Sequence, residues 1–393
     1  MKILIYVPNF MFDGDSGEFV HVRELAQNLA KLGHKVAVIC KLRDEGLTGS
    51  VTIRRVRAPG IRVIGSLWAN IHGLFLGALA TRGRKYDLVY TRAGFSAGAY
   101  LLSRIAKVPY VTEVNGLLWD EIRTARKSWV SRAPGYLLNL IEGEACRRSY
   151  HLVAVTPGIK DALVAELGIR PDNVTVIPNG ANTDLFRPGD IMQARAQLDF
   201  AVPEYLVTFA GSLKAWHGIE YLIKSIPYVL SQCPQSRFLI VGDGPMKQEL
   251  RELARKVGAS SEIIFTGSIP YETVPLYVNA SDVCVAPFIR ARNERCGSSS
   301  LKIHEYMACG RPVVASRIAN LELIEQSNAG ILVEPENPRE LAAAVVNLLK
   351  DEKLRGQMGE NGRKYVVEHH SWESVAIQVV TVCQESLKRI RLR

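Results

Sequence analysis

Short apolar runs recur along this chain with helical stretches between them, and each run is apolar nearly throughout rather than at alternate positions. A first series lies at residues 3–7, 35–40, 88–90, 110–114, 152–155 and 174–177, and a second at 206–210, 238–241, 263–266, 283–286, 312–315 and 331–333. Continuous hydrophobicity over so few residues marks a strand covered on both faces, and strands that alternate with helices make parallel sheets. Two series predict an α/β chain with two doubly wound, Rossmann-like domains. At 393 residues the chain is too long for one core and suits two of roughly 190 residues. The rhythm lapses from Pro178-Asn179-Gly180 to Phe186-Arg187-Pro188-Gly189-Asp190, which puts the linker near residues 180–203. In such sheets ligands sit outside the carboxyl ends of the strands, so a substrate is expected in the cleft between the domains.

Composition narrows the class. The chain is 47% hydrophobic and 22% charged, with 31 Gly and 18 Pro, which excludes a disordered, collagenous or coiled-coil protein. The apolar start reaches Pro8 and Asn9 without a small-residue cleavage site, so it reads as a first strand rather than a signal peptide. The most apolar later segment, 63–80, contains Asn70, His72, Gly65, Gly73 and Gly77, a poor match to a membrane-spanning helix. Cys40, Cys146, Cys233, Cys284, Cys296, Cys309 and Cys383 are odd in number and never in C-x-x-C spacing. They suggest neither a disulfide framework nor a zinc site, and favour the reducing cytoplasm. The net charge of +10 is uneven: residues 1–190 carry 25 Lys and Arg against 17 Asp and Glu, residues 191–393 carry 24 against 22. A positive amino-terminal half suits an anionic substrate, an anionic membrane surface or nucleic acid. No nucleic-acid motif or regular aromatic platform accompanies the charge, which argues against the last.

Several strand-to-helix loops have the make-up of anion sites. Gly14 and Gly17 precede a helix from about residue 18 to 32, where backbone amides and the helix dipole favour an anion. Asp13-Gly14-Asp15 has only two carboxylates and no further ligands, so no metal is expected there. Gly242-Asp243-Gly244-Pro245 lacks the third glycine of a dinucleotide fingerprint, because Lys247 stands in its place. Gly211-Ser212-Leu213-Lys214-Ala215-Trp216-His217-Gly218 offers amides, a hydroxyl, an ammonium and an imidazole to a phosphate. The densest region runs from Arg290 to Ser316, where Gly297-Ser298-Ser299-Ser300 opens a helix. Lys302 and Glu305 share one face of that helix, a cation for a diphosphate beside a carboxylate for ribose hydroxyls.

Taken together, these residues resemble the retaining, GT-B-fold glycosyltransferases of family 4, the glycosyl transferases of group 1. Four features carry the resemblance in order: the 211–218 segment, Val241-Gly242-Asp243-Gly244-Pro245, Phe265-Thr266-Gly267-Ser268-Ile269-Pro270, and the run from Lys302 through His304-Glu305-Tyr306-Met307-Ala308-Cys309-Gly310-Arg311-Pro312 to Ser316. Gly17, His21, Leu32-Gly33-His34 and Ile177-Pro178-Asn179-Gly180 extend it over nearly the whole chain. The resemblance implies an acceptor-binding domain at 1–184, a donor-binding domain at 185–370, and a final helix at 371–393 that crosses back from His370-Ser371-Trp372 to the first. It further implies a nucleotide-diphosphate-sugar donor, with a UDP-sugar favoured, a glycan or lipid-linked acceptor, and no required metal or cofactor. The expected donor residues are Gly17, Gly211, Ser212, Lys214, His217, Gly242, Gly244, Ile269, Ser298, Ser299, Ser300, Leu301, Lys302 and Glu305. The expected acceptor residues are His21, Glu113 and Asn115, and the expected catalytic set is Glu113, Asn115, Lys214 and Glu294.

The chain departs from the family pattern at three places. Gly297 stands where the first glutamate of an E-x7-E motif precedes Glu305, so Glu294 or Asn293 is expected to take over the sugar-hydroxyl contact. Ser212 and His217 stand where many relatives carry Arg and Lys, leaving Lys214 and Lys302 as the compensating charges for a diphosphate leaving group. Thr112 replaces a histidine found in some relatives, so no acceptor role transfers to it. No carboxylate pair suits double displacement, which needs two carboxyls about 5 Å apart. Front-face displacement fits, with the leaving phosphate helping to deprotonate the acceptor.

The 63–80 segment is flanked by Arg54, Arg55, Arg57, Arg62, Arg82, Arg84 and Lys85, which predicts peripheral docking on an anionic inner leaflet. Two other readings stay open. One is a catalytically degenerate nucleotide-sugar-binding subunit, and the other a sugar-nucleotide epimerase of the same architecture, which would turn over donor without acceptor.

Overall fold

The computed structural model describes residues 1–12, 17–42, 50–59, 62–83, 85–117, 129–200 and 205–391. The chain forms two compact units, one of Met1–Pro178 with Trp372–Arg393 and one of Asn179–Ser371. Each is a parallel sheet clothed by helices, as the two series of apolar runs predict.

The first unit runs β1 (Lys2–Phe12), α1 (Gly17–Lys31), β2 (Lys35–Leu42), β3 (Thr52–Arg55), α2 (Arg62–Thr81), β4 (Leu88–Arg92), α3 (Ser96–Ala106), β5 (Tyr110–Val114), α4 (Trp129–Arg147), β6 (His151–Ala154), α5 (Pro157–Leu167) and β7 (Val174–Val176). Its sheet has the order β3-β2-β1-β4-β5-β6-β7 with parallel pairing throughout. Helices α2, α3 and α4 neighbour one another in sequence order, and α2 also packs on β1. The glycines of α2 make that packing close: a Cβ on Gly73 would stand 2.2 Å from the Pro8 side chain, and one on Gly77 2.7 Å from Leu102. Thr156 caps α5 by accepting from the Ile159 amide, and Gly168 ends it in the left-handed conformation.

The second unit runs α6 (Ile191–Gln197), β8 (Tyr205–Ala210), α7 (Ile219–Leu230), β9 (Ser236–Val241), α8 (Lys247–Lys256), β10 (Ile263–Gly267), α9 (Val274–Ala280), β11 (Val283–Ala286), α10 (Arg290–Cys296), α11 (Leu301–Ala308), β12 (Val313–Ser316), α12 (Leu323–Gln326), β13 (Gly330–Val333), α13 (Pro338–Lys350) and α14 (Glu352–His369). The sheet order is β10-β9-β8-β11-β12-β13. Its core gathers Val207, Phe209, Phe238 and Ile240 from the strands with Leu222, Ile226, Val345 and Leu348 from α7 and α13. The last helix, α15 (Trp372–Arg391), belongs to the first unit and packs on α1 and β6. Trp372 is fully buried there and meets the His21 ring edge-on at 4.9 Å.

In both sheets the strand order reverses direction beside the first strand, between β1 and β4 and between β8 and β11. Ligands of doubly wound folds bind at the carboxyl ends of such a pair, because the helices that follow diverge to opposite faces and leave a crevice.

Candidate functional site

In the second unit the loops leaving β8, β9 and β10 lie backbone to backbone. Gly211 donates its amide to Val241 O, Leu213 donates to Asp243 O, and Gly242 donates to Gly267 O. Gly242 has a φ of +126°, and a Cβ there would lie 2.2 Å from Gly211 O, so only glycine serves. Gly244 is held as tightly, since a Cβ on it would lie 2.6 Å from the Leu213 carbonyl oxygen. The glycines named from the sequence thus bring three strand ends together.

Lys302 is the residue that converges on this point. It sits in the first turn of α11, 7% exposed, with its Nζ 4.0 Å from the Phe209 ring centre and 5.4 Å from that of Phe288. Phe209 ends β8 and Phe288 follows β11, so the ammonium lies at the reversal of strand order. Gly211 has a φ of +144°, which favours glycine, and a Cβ on it would come within 2.8 Å of Nζ. Among the described residues that Nζ has no hydrogen-bond partner. Burial brings the Lys302 pKa down to about 7, against a smaller opposing pull from Glu305. A buried cation without an acceptor is costly, and an anionic ligand is what would relieve it.

Glu305 follows one turn later on the same face, 8% exposed, and its Oε1 accepts from the Tyr271 hydroxyl at 2.8 Å. Tyr271 escaped the sequence reading, which had no signal linking it to position 305. Ser298, Ser299 and Ser300 are half-buried ahead of α11. Asn179 fixes the middle of that loop: its amide donates to Ser299 Oγ at 2.8 Å and its Nδ2 to Ser299 O at 2.5 Å. Ser298 O accepts from Asn320 Nδ2 at 3.1 Å, and Ser300 makes no side-chain cap. Beneath the helix His304 stacks on His370 with ring centres 4.5 Å apart. Burial pushes the His304 pKa well down and that of His370 to about 4, so both rings are neutral at pH 7.

The remaining donor-side residues are more open. Ser212 and Lys214 are exposed, the Lys214 ammonium lying 5.0 Å from the Trp216 ring centre. His217 Nδ1 and Ser212 O are 2.5 Å apart, so these two replacements hold one another. Ile269 and Leu301 are half-buried. Glu294 is exposed on α10 and lies 3.7 Å from the Arg290 guanidinium, whereas Asn293 is buried and donates to Ile289 O at 2.9 Å.

The first unit holds a second polar cluster at the ends of β4 and β5. Glu113 is 2% exposed; its Oε2 accepts from the Tyr90 hydroxyl at 2.6 Å, and its Oε1 lies 2.7 Å from His21 Nε2 and 3.8 Å from Arg92 Nε. Burial alone would raise its pKa, but His21, Arg92 and Tyr90 outweigh it and hold the carboxyl down at about 2. Arg92 donates from Nε to Asn115 Oδ1 at 2.9 Å and from a terminal nitrogen to Glu18 O at 3.3 Å, linking the cluster to the start of α1. Arg92 and Tyr90 were not singled out from sequence, although position 92 closes a strand beside the reversal point. Gly17 is the exposed first residue of α1. Asp13, Gly14 and Asp15 lie outside the described residues. Among the described residues no three His, Cys, Asp or Glu side chains come together as a metal site.

Two family models match the chain: Glycosyltransferase Family 4 over residues 16–185 and Glycosyl transferases group 1 over residues 204–351. An uncharacterized glycosyltransferase of Methanocaldococcus jannaschii is 28% identical over 380 residues, 93% of each chain. Among solved structures, sucrose-phosphate synthase from Thermosynechococcus elongatus superposes with a TM-score of 0.78 at 22% identity over 98% of each chain. Anabaena HepE in complex with UDP-glucose does so at 0.73 and 19% identity over 100% of each.

Proposed function

Since the chain belongs to the GT-B glycosyltransferases of group 1 and family 4, we propose that it moves a sugar from a nucleotide-diphosphate sugar to a hydroxyl of a glycan or lipid-linked acceptor. The observation that carries this reading is the buried Lys302 ammonium, without a hydrogen-bond partner among the described residues, at the strand reversal of the second unit and one helical turn from Glu305. Lys302 would face the diphosphate, with the amides and hydroxyls of Ser298–Ser300 and the exposed Lys214 adding donors. Glu305, oriented by Tyr271, would accept from the ribose. A UDP-sugar is favoured, as HepE is a neighbour solved with UDP-glucose.

The proposed reaction is front-face displacement with retention and without a metal. As the glycosidic bond lengthens, negative charge grows on the leaving diphosphate, where a fixed cation in a dry site stabilises it most. The acceptor hydroxyl gives its proton to a departing phosphate oxygen. In the first unit Glu113 is already engaged by His21, Tyr90 and Arg92. We therefore assign it the holding of His21, Arg92 and through it Asn115, which would present the acceptor.

The test is thermal unfolding with UDP, GDP, ADP and dTDP and their sugars. A ligand at about 100 times its dissociation constant adds roughly 2.7 kcal/mol to the folded state. One nucleotide is expected to raise the melting temperature of the wild type, and Glu305→Ala should lose most of that shift. No shift with any of the four would contradict the donor assignment. Binding followed by donor turnover without acceptor would point to an epimerase instead.

A further inference from the structure

Helix α2 carries large apolar side chains on its outer face as well as its inner one. Among its described side chains the buried ones are Gly65, Ala69, Gly73, Gly77, Ala80 and Thr81, with Leu74 and Leu76 half-buried against the core, while Trp68, Ile71, Phe75 and Leu79 stand exposed. Phe75 is 60% exposed. An ordinary surface helix of a globular domain turns its large apolar side chains inward. The small inner residues are explained by close packing on Pro8 and Leu102, but no described residue of the unit covers the large outer ones.

The neighbouring helices continue the pattern. On α3, Leu101 and Ile105 are exposed, the latter at 63%, and Phe75 and Leu79 of α2 share a shallow groove with Ile105. On α4, which packs against α3, Leu137, Leu140 and Ile141 are exposed at i, i+3 and i+4, with Leu140 at 69%. Isolated exposed apolar residues are ordinary, but so many on three helices that pack in succession mark an interaction surface.

The charges around the patch name the partner. Arg82, Arg104, Lys107 and Arg148 are exposed among these helices, and neither α2 nor α3 contains an acidic residue. On α4, Glu142 is buried and accepts from the Gly94, Ser96 and Ala97 amides, and Glu144 pairs with Arg147 and Arg148. A second copy of this face would set basic rim against basic rim. An anionic bilayer complements both parts: headgroups meet the arginines and lysines, and the aromatic and aliphatic side chains enter the headgroup–acyl boundary. No described helix is long and apolar enough to cross a membrane, so the contact would be peripheral.

We propose that the outer face of α2, α3 and α4 docks this protein on an anionic lipid surface. Docking deepens the proposed function by placing the acceptor domain at a membrane, where a lipid-linked acceptor resides. It rests on that reading only for the acceptor, because the surface and its test need no sugar transfer.

The experiment is flotation of the full chain with vesicles of pure phosphatidylcholine and of phosphatidylcholine containing anionic phosphatidylglycerol. The wild type should float with the anionic vesicles at low salt, weaken as salt rises, and bind the neutral vesicles poorly. A Phe75→Asp, Ile105→Asp double variant should bind at least about tenfold more weakly. Its melting temperature and UDP-induced shift should match the wild type, both side chains being exposed. No flotation of the wild type at low salt would overturn the proposal. So would a wild-type dimer that the double variant dissociates, since the face would then belong to a second copy. Loss of UDP binding in the wild type with flotation intact would count against the donor reading and not against docking.

Discussion

Lys302→Met should make the protein more stable and unable to hold its donor. The wild-type ammonium is buried between two phenylalanine rings with no acceptor among the described residues, and burial brings its pKa from the ordinary 10.5 to about 7. An unfolded lysine titrates near its ordinary value, so between pH 7 and 10.5 the unfolded chain binds more protons than the folded one. Stability then rises with pH across that window, and the full penalty is present below pH 7. Methionine has a similar volume and no charge to bury. The variant should gain on the order of 1–3 kcal/mol at pH 7, several degrees in melting temperature, and lose the rise at alkaline pH. Its affinity for UDP should fall by about 10- to 100-fold, the worth of a charge-assisted contact in a dry site. Calorimetry and thermal unfolding of the two proteins check both halves. A structural lysine would give the opposite sign for stability.

The second large effect is expected at Glu113. Its carboxyl is held at about 2, below the ordinary 4.5, because the pull of His21, Arg92 and Tyr90 exceeds the cost of burial. A depressed carboxylate contributes stability above pH 4.5 and loses it as pH falls toward 2. Glu113→Gln leaves Arg92 without its counter-charge and His21 without its carboxylate neighbour in a buried setting, which costs on the order of 3–5 kcal/mol. The variant should therefore unfold at lower temperature near pH 7, with the gap to the wild type narrowing between pH 4.5 and 2. Because Glu113 and the donor residues belong to different units, the UDP-induced shift should survive where the variant is folded. Thermal unfolding over pH 2–7 with and without UDP measures both. Wild-type stability at pH 7 in Glu113→Gln would mean the cluster does not hold the first unit together.

The parallel sheets were legible because strands buried on both faces leave short, wholly apolar runs. All six strands of the second unit fall on runs read from the sequence. Strand β3 escaped, since Thr52-Ile53-Arg54-Arg55 is an edge strand with one large apolar residue and two charges, and an edge need not be hydrophobic. The glycines of the donor loops and the shared face of Lys302 and Glu305 were also legible, being matters of spacing. Burial was not. The segment from Lys302 to Ala308 contains Lys, His and Glu, yet every one of its residues is buried. The sequence likewise marked Lys214 and Glu294 as chemically able without revealing that both side chains lie open to solvent. For α2 the apolar run was plain, but which side faced in depended on where glycine lets a helix approach Pro8.

The most direct test of the donor assignment is proton uptake when UDP binds. Titration calorimetry at pH 7, in two buffers of different ionisation enthalpy, counts the protons exchanged. With the Lys302 pKa lowered by burial to about 7, part of the free site is unprotonated at pH 7, and an adjacent diphosphate pulls it to full charge. The wild type should take up a fraction of a proton more per bound UDP than Lys302→Met, which removes UDP's own titration from the comparison. Binding that is equally tight in both proteins, with no difference in proton uptake, would contradict the account.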